Sequence, residues 1–268
     1  MRNREQEHCL SGVEFLLYVC RMKLMRHLPN ALTLANLTCG SVAAVLIAQS
    51  FDATLAVFLI FVAALFDLLD GAAARLLRVN GEMGKQLDSL ADVVSFGLAP
   101  AVIIYTMLER GLPAETQWIK YAAFINVACA ALRLARFNTQ ESGQTTFNGM
   151  PSPANGIFWA SLLAITAWEK HSLQSSLIEV DLNWPVQLVL TLLIATSTLM
   201  VSNIRMFSFK FKPGGWSTNK TPLAFLLVAA VIVASSLILL NSLLMAIPVI
   251  VMAYILFSLT SHFLNPTA

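Results

Sequence analysis

Apolar runs of roughly twenty residues fill most of this chain, and a bilayer is the solvent in which so many of them can coexist. They lie at approximately 31–49, 52–74, 88–108, 117–137, 153–169, 184–203, 222–240 and 243–262. Each is near the ~20 residues a helix needs to cross a membrane. Inside hydrocarbon every backbone N–H and C=O must be satisfied within the chain, which makes such spans helices. Composition points the same way, with 57% hydrophobic and 12% charged residues over 268 positions, far from the balance of a soluble domain. The expected fold is all-α, a polytopic membrane helix bundle of about eight transmembrane helices. A count of seven or six applies if one of the last segments is re-entrant. The run from Pro222 to Phe263 is too long for a single helix, and Asn241 and Ser242 mark a hairpin within it.

Lysines and arginines set the orientation. Five fall before residue 27, three at Arg75, Arg78 and Lys85, two at Arg133 and Arg136, and four between 204 and 221. The opposite side holds Arg110, Lys120 and Lys170. Both chain ends and the loops after the second, fourth and sixth spans are therefore expected at the cytoplasmic face, in a prokaryotic plasma membrane. A net charge of +2 gives no reason to expect nucleic acid; the basic residues suit anionic headgroups. Residues 1–27 contain a short apolar piece, Val13 to Cys20, too short to span and without a small-residue cleavage site. They are expected to form a cytoplasmic or interfacial helix, ahead of a catalytic membrane domain over 28–212 and a C-terminal pair of transmembrane helices over 213–268. The four cysteines and four histidines form no metal-ligand spacing.

The chemistry concentrates in Asp67-Leu-Leu-Asp-Gly-Ala-Ala-Ala-Arg75 and Gly84-Lys-Gln-Leu-Asp88-Ser-Leu-Ala-Asp92. Asp67 and Asp70 are i, i+3, and Asp88 and Asp92 are i, i+4, so each half puts two carboxylates on one helix face. With a turn between antiparallel helices, Asp70 pairs by height with Asp88 and Asp67 with Asp92. Four converging carboxylates repel unless cations or protons intervene, and hard oxygen ligands suit Mg²⁺, Mn²⁺ or Ca²⁺. Gly71, Ala74 and Gly84 lie close by, small enough to let backbones approach and a flat group slip between them.

The pattern Asp-x2-Asp-Gly-x2-Ala-Arg-x8-Gly-x3-Asp-x3-Asp, complete here from Asp67 to Asp92, resembles the signature of the CDP-alcohol phosphatidyltransferases. The resemblance implies a homodimeric membrane enzyme with a divalent-metal site of two ions, taking Mn²⁺ or Mg²⁺, with Ca²⁺ able to substitute. It implies Asp67, Asp70, Asp88 and Asp92 around the metals, Asp92 as the general base, and CDP held by Asp67, Asp70, Gly71, Ala74, Arg75 and Gly84. Asn36, a polar residue inside the first span, joins that set as a candidate.

Three segments bear on the acceptor: Ser95-Phe-Gly-Leu-Ala-Pro100, Arg133-Leu-Ala-Arg136-Phe-Asn138, and Phe147-Asn-Gly-Met-Pro151-Ser-Pro153. With Met200 to Asn203 and Lys210 they resemble the integral-membrane phosphatidylserine synthases of that family. CDP-diacylglycerol and L-serine are the substrates this implies. Serine carries a carboxylate, which Arg133 or Arg136 can take by a bidentate contact, the other serving a lipid phosphate. Glycerol 3-phosphate or inositol phosphate would call on the same cations. A cation transporter is the other class weighed, but no acidic residue continues the row across spans two and three.

Overall fold

A computed structural model describes residues 27–50, 52–79, 81–139, 147–173, 184–206, 220–240 and 245–264. The expected interfacial helix before residue 27, and Lys210, lie outside the described residues. Apart from one two-residue antiparallel ladder, the described elements are helical. Helix α1 is Leu28–Ala48, α2 Ala53–Leu77 and α3 Glu82–Asp92; a π-turn, Val93–Leu98, continues α3 into α4, Ala99–Gly111. A 3₁₀ stretch, Ala114–Phe124, leads into α5, Ile125–Thr139. Then come β1 (Phe147–Asn148), α6 (Ser152–Leu173), α7 (Val186–Val201), β2 (Arg205–Met206), α8 (Lys220–Leu240) and α9 (Ala246–Leu264).

Among the described residues, four rods are long and apolar enough to cross a membrane: Leu28–Ala48, Ala53–Leu77, Glu82–Gly111 and Ala114–Thr139. Chain-local signals set their ends. Pro29 sits in the first turn of α1, where no N–H is missed. Asp52 caps α2 by accepting from the Leu55 N–H at 2.9 Å. At the far end of α2, Arg78 turns left-handed (φ 52°) and Val79 N–H reaches back to the Ala74 carbonyl.

The rods are not equivalent. In the most apolar window of Glu82–Gly111, 67% of residues are buried, against 22–33% in the other three. This rod is the centre, and the others expose apolar side chains such as Leu68, Leu76 and Trp118, as lipid-facing helices must. Its π-turn packs against α1, α2, α5 and α6. Ile103, Ile104 and Leu108 of α4 join Ile60 of α2 and Trp159 of α6 in the core.

One stripe on α1 organises the first half of the molecule. Pro29, Thr33, Asn36, Gly40, Ala43, Ala44 and Ile47 are buried at helical spacing, and α1 packs along both α2 and α3. The two acid-bearing helices share fewer close contacts with each other than either does with α1. Gly40 marks the closest approach: a Cβ there would lie 2.2 Å from Ser95 Oγ and 2.6 Å from Ser95 Cα.

Further along, β1 pairs Phe147 with Met206 and Asn148 with Arg205. Gly149 follows at φ +77°, donating its N–H to the Ile204 carbonyl at 2.9 Å, and the Met150 N–H reaches the Leu199 carbonyl at 3.0 Å. A side chain at 149 would collide with the Met200 carbonyl at 2.4 Å. Glycine is what allows this strap to lie on the end of α7.

Gly40→Ala is expected to lower the thermal midpoint of the detergent-solubilised protein, because the methyl meets backbone rather than a movable side-chain end. The cost is about 1–3 kcal/mol or more; an unchanged midpoint would contradict this packing.

Candidate active site

The face of α2 that packs on the core is Ala56, Ile60 and Ala63, and Asp67 and Asp70 continue it at helical spacing. The stripe turns acidic at its last two turns. Across from it, α3 brings Asp88 to the same place. Ligand oxygens of Asp67, Asp70 and Asp88 all lie within 4.8 Å of one another. Asp70 is buried and the other two are partly so. Asp88 Oδ1 is buried with no hydrogen-bond partner. Three hard oxygen donors, one of them with an unused buried acceptor, fit a divalent cation better than any other arrangement of those groups.

Asp92 stands outside that trio. It is buried, 6% exposed, and accepts from Asn36 Nδ2 at 3.4 Å. Its electrostatic neighbours are Asp67, Asp88 and Arg133. Three of the four carboxylates thus meet directly, and the fourth lies in their electrostatic surroundings, bonded to an amide.

Two α1 residues steady these acids. Thr33 donates to Asp70 Oδ2 at 2.6 Å, and its oxygen is 3.0 Å from the Pro29 carbonyl. Asn36, fully buried, gives its amide to Asp92, while its Oδ1 has no hydrogen-bond partner. Ser95 donates to the Asn36 carbonyl at 3.0 Å, which ties α1 to the π-turn.

The expected slot residues are less enclosed. A Cβ at Gly71 would meet Arg75 Nη1 alone, at 3.8 Å, and one at Gly84 would meet Asn30 Oδ1 at 3.3 Å. Arg75 is exposed and Ala74 partly so. Open room beside Gly71, with a guanidinium at its edge, is what a flat anionic ligand requires.

The two arginines of α5 behave differently. Arg133 donates from Nη1 to Ser152 Oγ at 2.7 Å, its Nε is buried without a partner, and Asp92, Tyr254 and Asp67 are its electrostatic neighbours. Arg136 is exposed and gives Nη1 to the Val201 carbonyl at the end of α7, 2.9 Å away. Their i, i+3 spacing does not give them a shared task. Beside them, Lys85 Nζ reaches the Asn138 carbonyl at 2.8 Å and Asn138 Nδ2 reaches Ser89 Oγ at 2.7 Å, joining α3 to the end of α5.

Several residues escape the sequence expectations: Thr33, Asn126 and Asn155. The rule that singles out Asn36, a polar side chain inside an apolar span, applies equally to Thr33 and Asn126.

A membrane-embedded carboxylate trio beside a buried carboxylate and arginine defines the class as an acid-rich helical membrane enzyme site. The sequence profile of the CDP-alcohol phosphatidyltransferases matches residues 26–182, and the chain belongs to that family. It is 37% identical over 145 residues to a CDP-diacylglycerol–serine O-phosphatidyltransferase of Mycobacterium leprae, covering 52% of this chain and 47% of that protein. It is 32% identical over 184 residues to the protein of the same name from Helicobacter pylori, covering 68% and 72%. An archaetidylserine synthase of Methanothermobacter thermautotrophicus is 32% identical over 183 residues, covering 66% and 68%. The chain spans about half the length of the mycobacterial relatives it matches.

Thr33→Val removes the donor to Asp70 at nearly constant volume. It should weaken Mn²⁺ binding about 10- to 100-fold, read by electron paramagnetic resonance of free Mn²⁺; unchanged affinity would show that Asp70 is not a ligand.

Proposed function

We propose that this protein transfers the phosphatidyl group of CDP-diacylglycerol to the hydroxyl of L-serine, giving phosphatidylserine and CMP. One observation carries the reading: the carboxylate trio with its unused Asp88 oxygen and the unused Nε of Arg133 both lie in the electrostatic surroundings of Asp92. A site with places for cation and anion around one carboxylate suits a pyrophosphate donor and an acceptor that carries a carboxylate. The names of the relatives point to serine as well.

Asp67, Asp70 and Asp88, with Asp92 able to contribute, hold the divalent ions, Mn²⁺ or Mg²⁺, two being the number the motif suggests. Bound there, such ions offset the charge on the pyrophosphate and on departing CMP. Gly71, Ala74, Arg75 and Gly84 leave room for the cytidine end, with Arg75 at the phosphate, while the acyl chains stay among lipid. Arg133 takes the serine carboxylate through its free Nε edge, oriented by Ser152. Asp92 receives the serine hydroxyl proton. The serine Oγ–P bond forms at the diacylglycerol-bearing phosphorus as the bond to the bridging oxygen breaks, and CMP leaves with that electron pair. No covalent lipid intermediate is needed.

Serine is favoured over a phosphorylated alcohol because a second phosphate needs a second cation. Arg136, the obvious candidate, has one donor committed to the α7 carbonyl and stands exposed. Eight spans, a cytoplasmic site and homodimers in a prokaryotic plasma membrane complete the reading, with 28–212 as the catalytic unit and 213–268 as an added helix pair.

Purified protein with Mn²⁺ should release CMP from CDP-diacylglycerol when given L-serine, and not with glycerol 3-phosphate or inositol phosphate. Asp92→Asn should lower that rate about 10²- to 10⁴-fold. Release with a phosphorylated acceptor would retain the family and reject serine.

A further inference from the structure

The central rod is broken as a helix where it passes beneath Asp92. Pro100 has no N–H, so the Phe96 carbonyl four residues earlier loses the donor that an unbroken α-helix would give it. Residues Val93–Leu98 take up a π-turn at that point. Phe96 and Gly97 are buried, inside a bundle where an unsatisfied carbonyl costs several kcal/mol.

Two carboxamides from other helices donate to carbonyls of this turn. Asn126 Nδ2 of α5 donates to the Gly97 carbonyl at 3.0 Å. Asn155 Nδ2 of α6 donates to the Phe96 carbonyl at 3.4 Å and to Asn126 Oδ1 at 3.0 Å. A carboxamide NH₂ has two hydrogens and Asn155 spends one on each acceptor, so the two amides act as a coupled pair. Both are 0% exposed.

The walls around the turn are shaped to match. A Cβ at Gly156 of α6 would lie 2.7 Å from Phe96 Cδ1 and 3.3 Å from Phe96 Cα; one at Gly97 would lie 3.1 Å from Ala130 Cβ of α5. At Gly156 and at the Gly97–Ala130 contact small residues let the neighbouring helices come close, which leaves the turn little freedom to shift.

The turn matters for the acids because of register. One extra residue in a helical turn rotates everything before it by about 100° relative to everything after it. Ile103, Ile104 and Leu108 fix α4 in the core, so the π-turn decides where Asp88 and Asp92 face. Asp92 is the residue immediately before it.

We propose that the Asn126–Asn155 carboxamide pair is a positioning device that holds the π-turn and through it aims Asp92 at the reacting hydroxyl. The role of the aim rests on the proposed function; the clamp itself does not.

Hydrogen exchange of the full chain in detergent micelles, with no substrate present, tests the clamp. Peptides covering 93–101 should exchange faster in Asn126→Ala and Asn155→Ala than in the parent. Steady-state kinetics with CDP-diacylglycerol, L-serine and Mn²⁺ test the aim. In the same variants kcat should fall about 10- to 100-fold, while KM for CDP-diacylglycerol and Mn²⁺ affinity stay within about threefold. Ser161→Ala on α6, whose hydroxyl bonds its own helix at the Phe158 carbonyl, should change none of these. If either alanine variant fails to fold, Gly156→Ala keeps both amides, presses on Phe96 from the same side, and should give the same split. Unchanged exchange, or faster exchange with parental kcat, would overturn the proposal, as would a joint collapse of kcat, KM and Mn²⁺ binding. An active Asp92→Asn enzyme would sink the base assignment alone, leaving the exchange result to judge the clamp.

Discussion

A carboxylate inside an apolar bundle has to be met by donors or cations, and the rest of this structure follows from how the chain meets four of them. Each acid is treated differently. Asp70 has the Thr33 hydroxyl, Asp92 has the Asn36 amide with Arg133 nearby, and Asp88 keeps a buried oxygen unpaired. Protein donors therefore satisfy part of the demand, and the remainder falls where Asp67, Asp70 and Asp88 meet. Burying charge without compensation would be prohibitive in such surroundings. Helix α1, which has no acidic residue in its length, supplies much of the compensation through one polar stripe, and so becomes the element on which the acid-bearing helices are assembled.

Spacing alone revealed the rods, because twenty-residue apolar runs have one solution in a bilayer. It also put Asp67 with Asp70, and Asp88 with Asp92, on shared helix faces, since i, i+3 and i, i+4 are unambiguous on a helix, and the structure brings three of them together. Pairing them by height was less informative. That construction treats α2 and α3 as straight neighbours in contact, whereas α1 packs along both and the rod beyond α3 changes its turn. Asp92 accepts from Asn36, with Asp67, Asp88 and Arg133 as its electrostatic neighbours. Gly97 and Pro100 are residues that loosen a helix, but they do not specify the form it then takes. The donors that stabilise a π-turn come from Asn126 and Asn155, and local sequence carries no trace of which distant amide will reach which carbonyl. Arg133 and Arg136 illustrate the same limit: equal in charge and one turn apart, they diverge because Ser152 meets one and the end of α7 meets the other.

The two sides of the site also differ in where their parts come from. The acid trio, its α1 partners and the π-turn all lie within residues 26–182, the stretch that the family profile matches. Around Arg133 the chain draws on residues outside it. Arg136 anchors to Val201, the Gly149 strap is held by Leu199 and Ile204, and Tyr254 of α9 is an electrostatic neighbour of the Arg133 guanidinium. Helix α9 packs on α6 and on β2, so the last helix reinforces the strap that delivers Ser152.

That division has a physical logic. A nucleotide pyrophosphate makes the same demands wherever it binds, namely cations, hard oxygen ligands and room for a flat base, and in the proposed reading the carboxylates spaced along α2 and α3 would answer them. An acceptor alcohol makes demands that depend on its substituents. In the proposed reading they fall to Arg133, which is backed by the Ser152 hydroxyl, a glycine-dependent strap and α9. Changing the acceptor would then require altering the backing of Arg133 while leaving the acids and the clamped turn untouched. A site built this way keeps its chemistry in the rigid centre of the bundle and its selectivity at the edge, where loops and later helices can vary at little cost to the core.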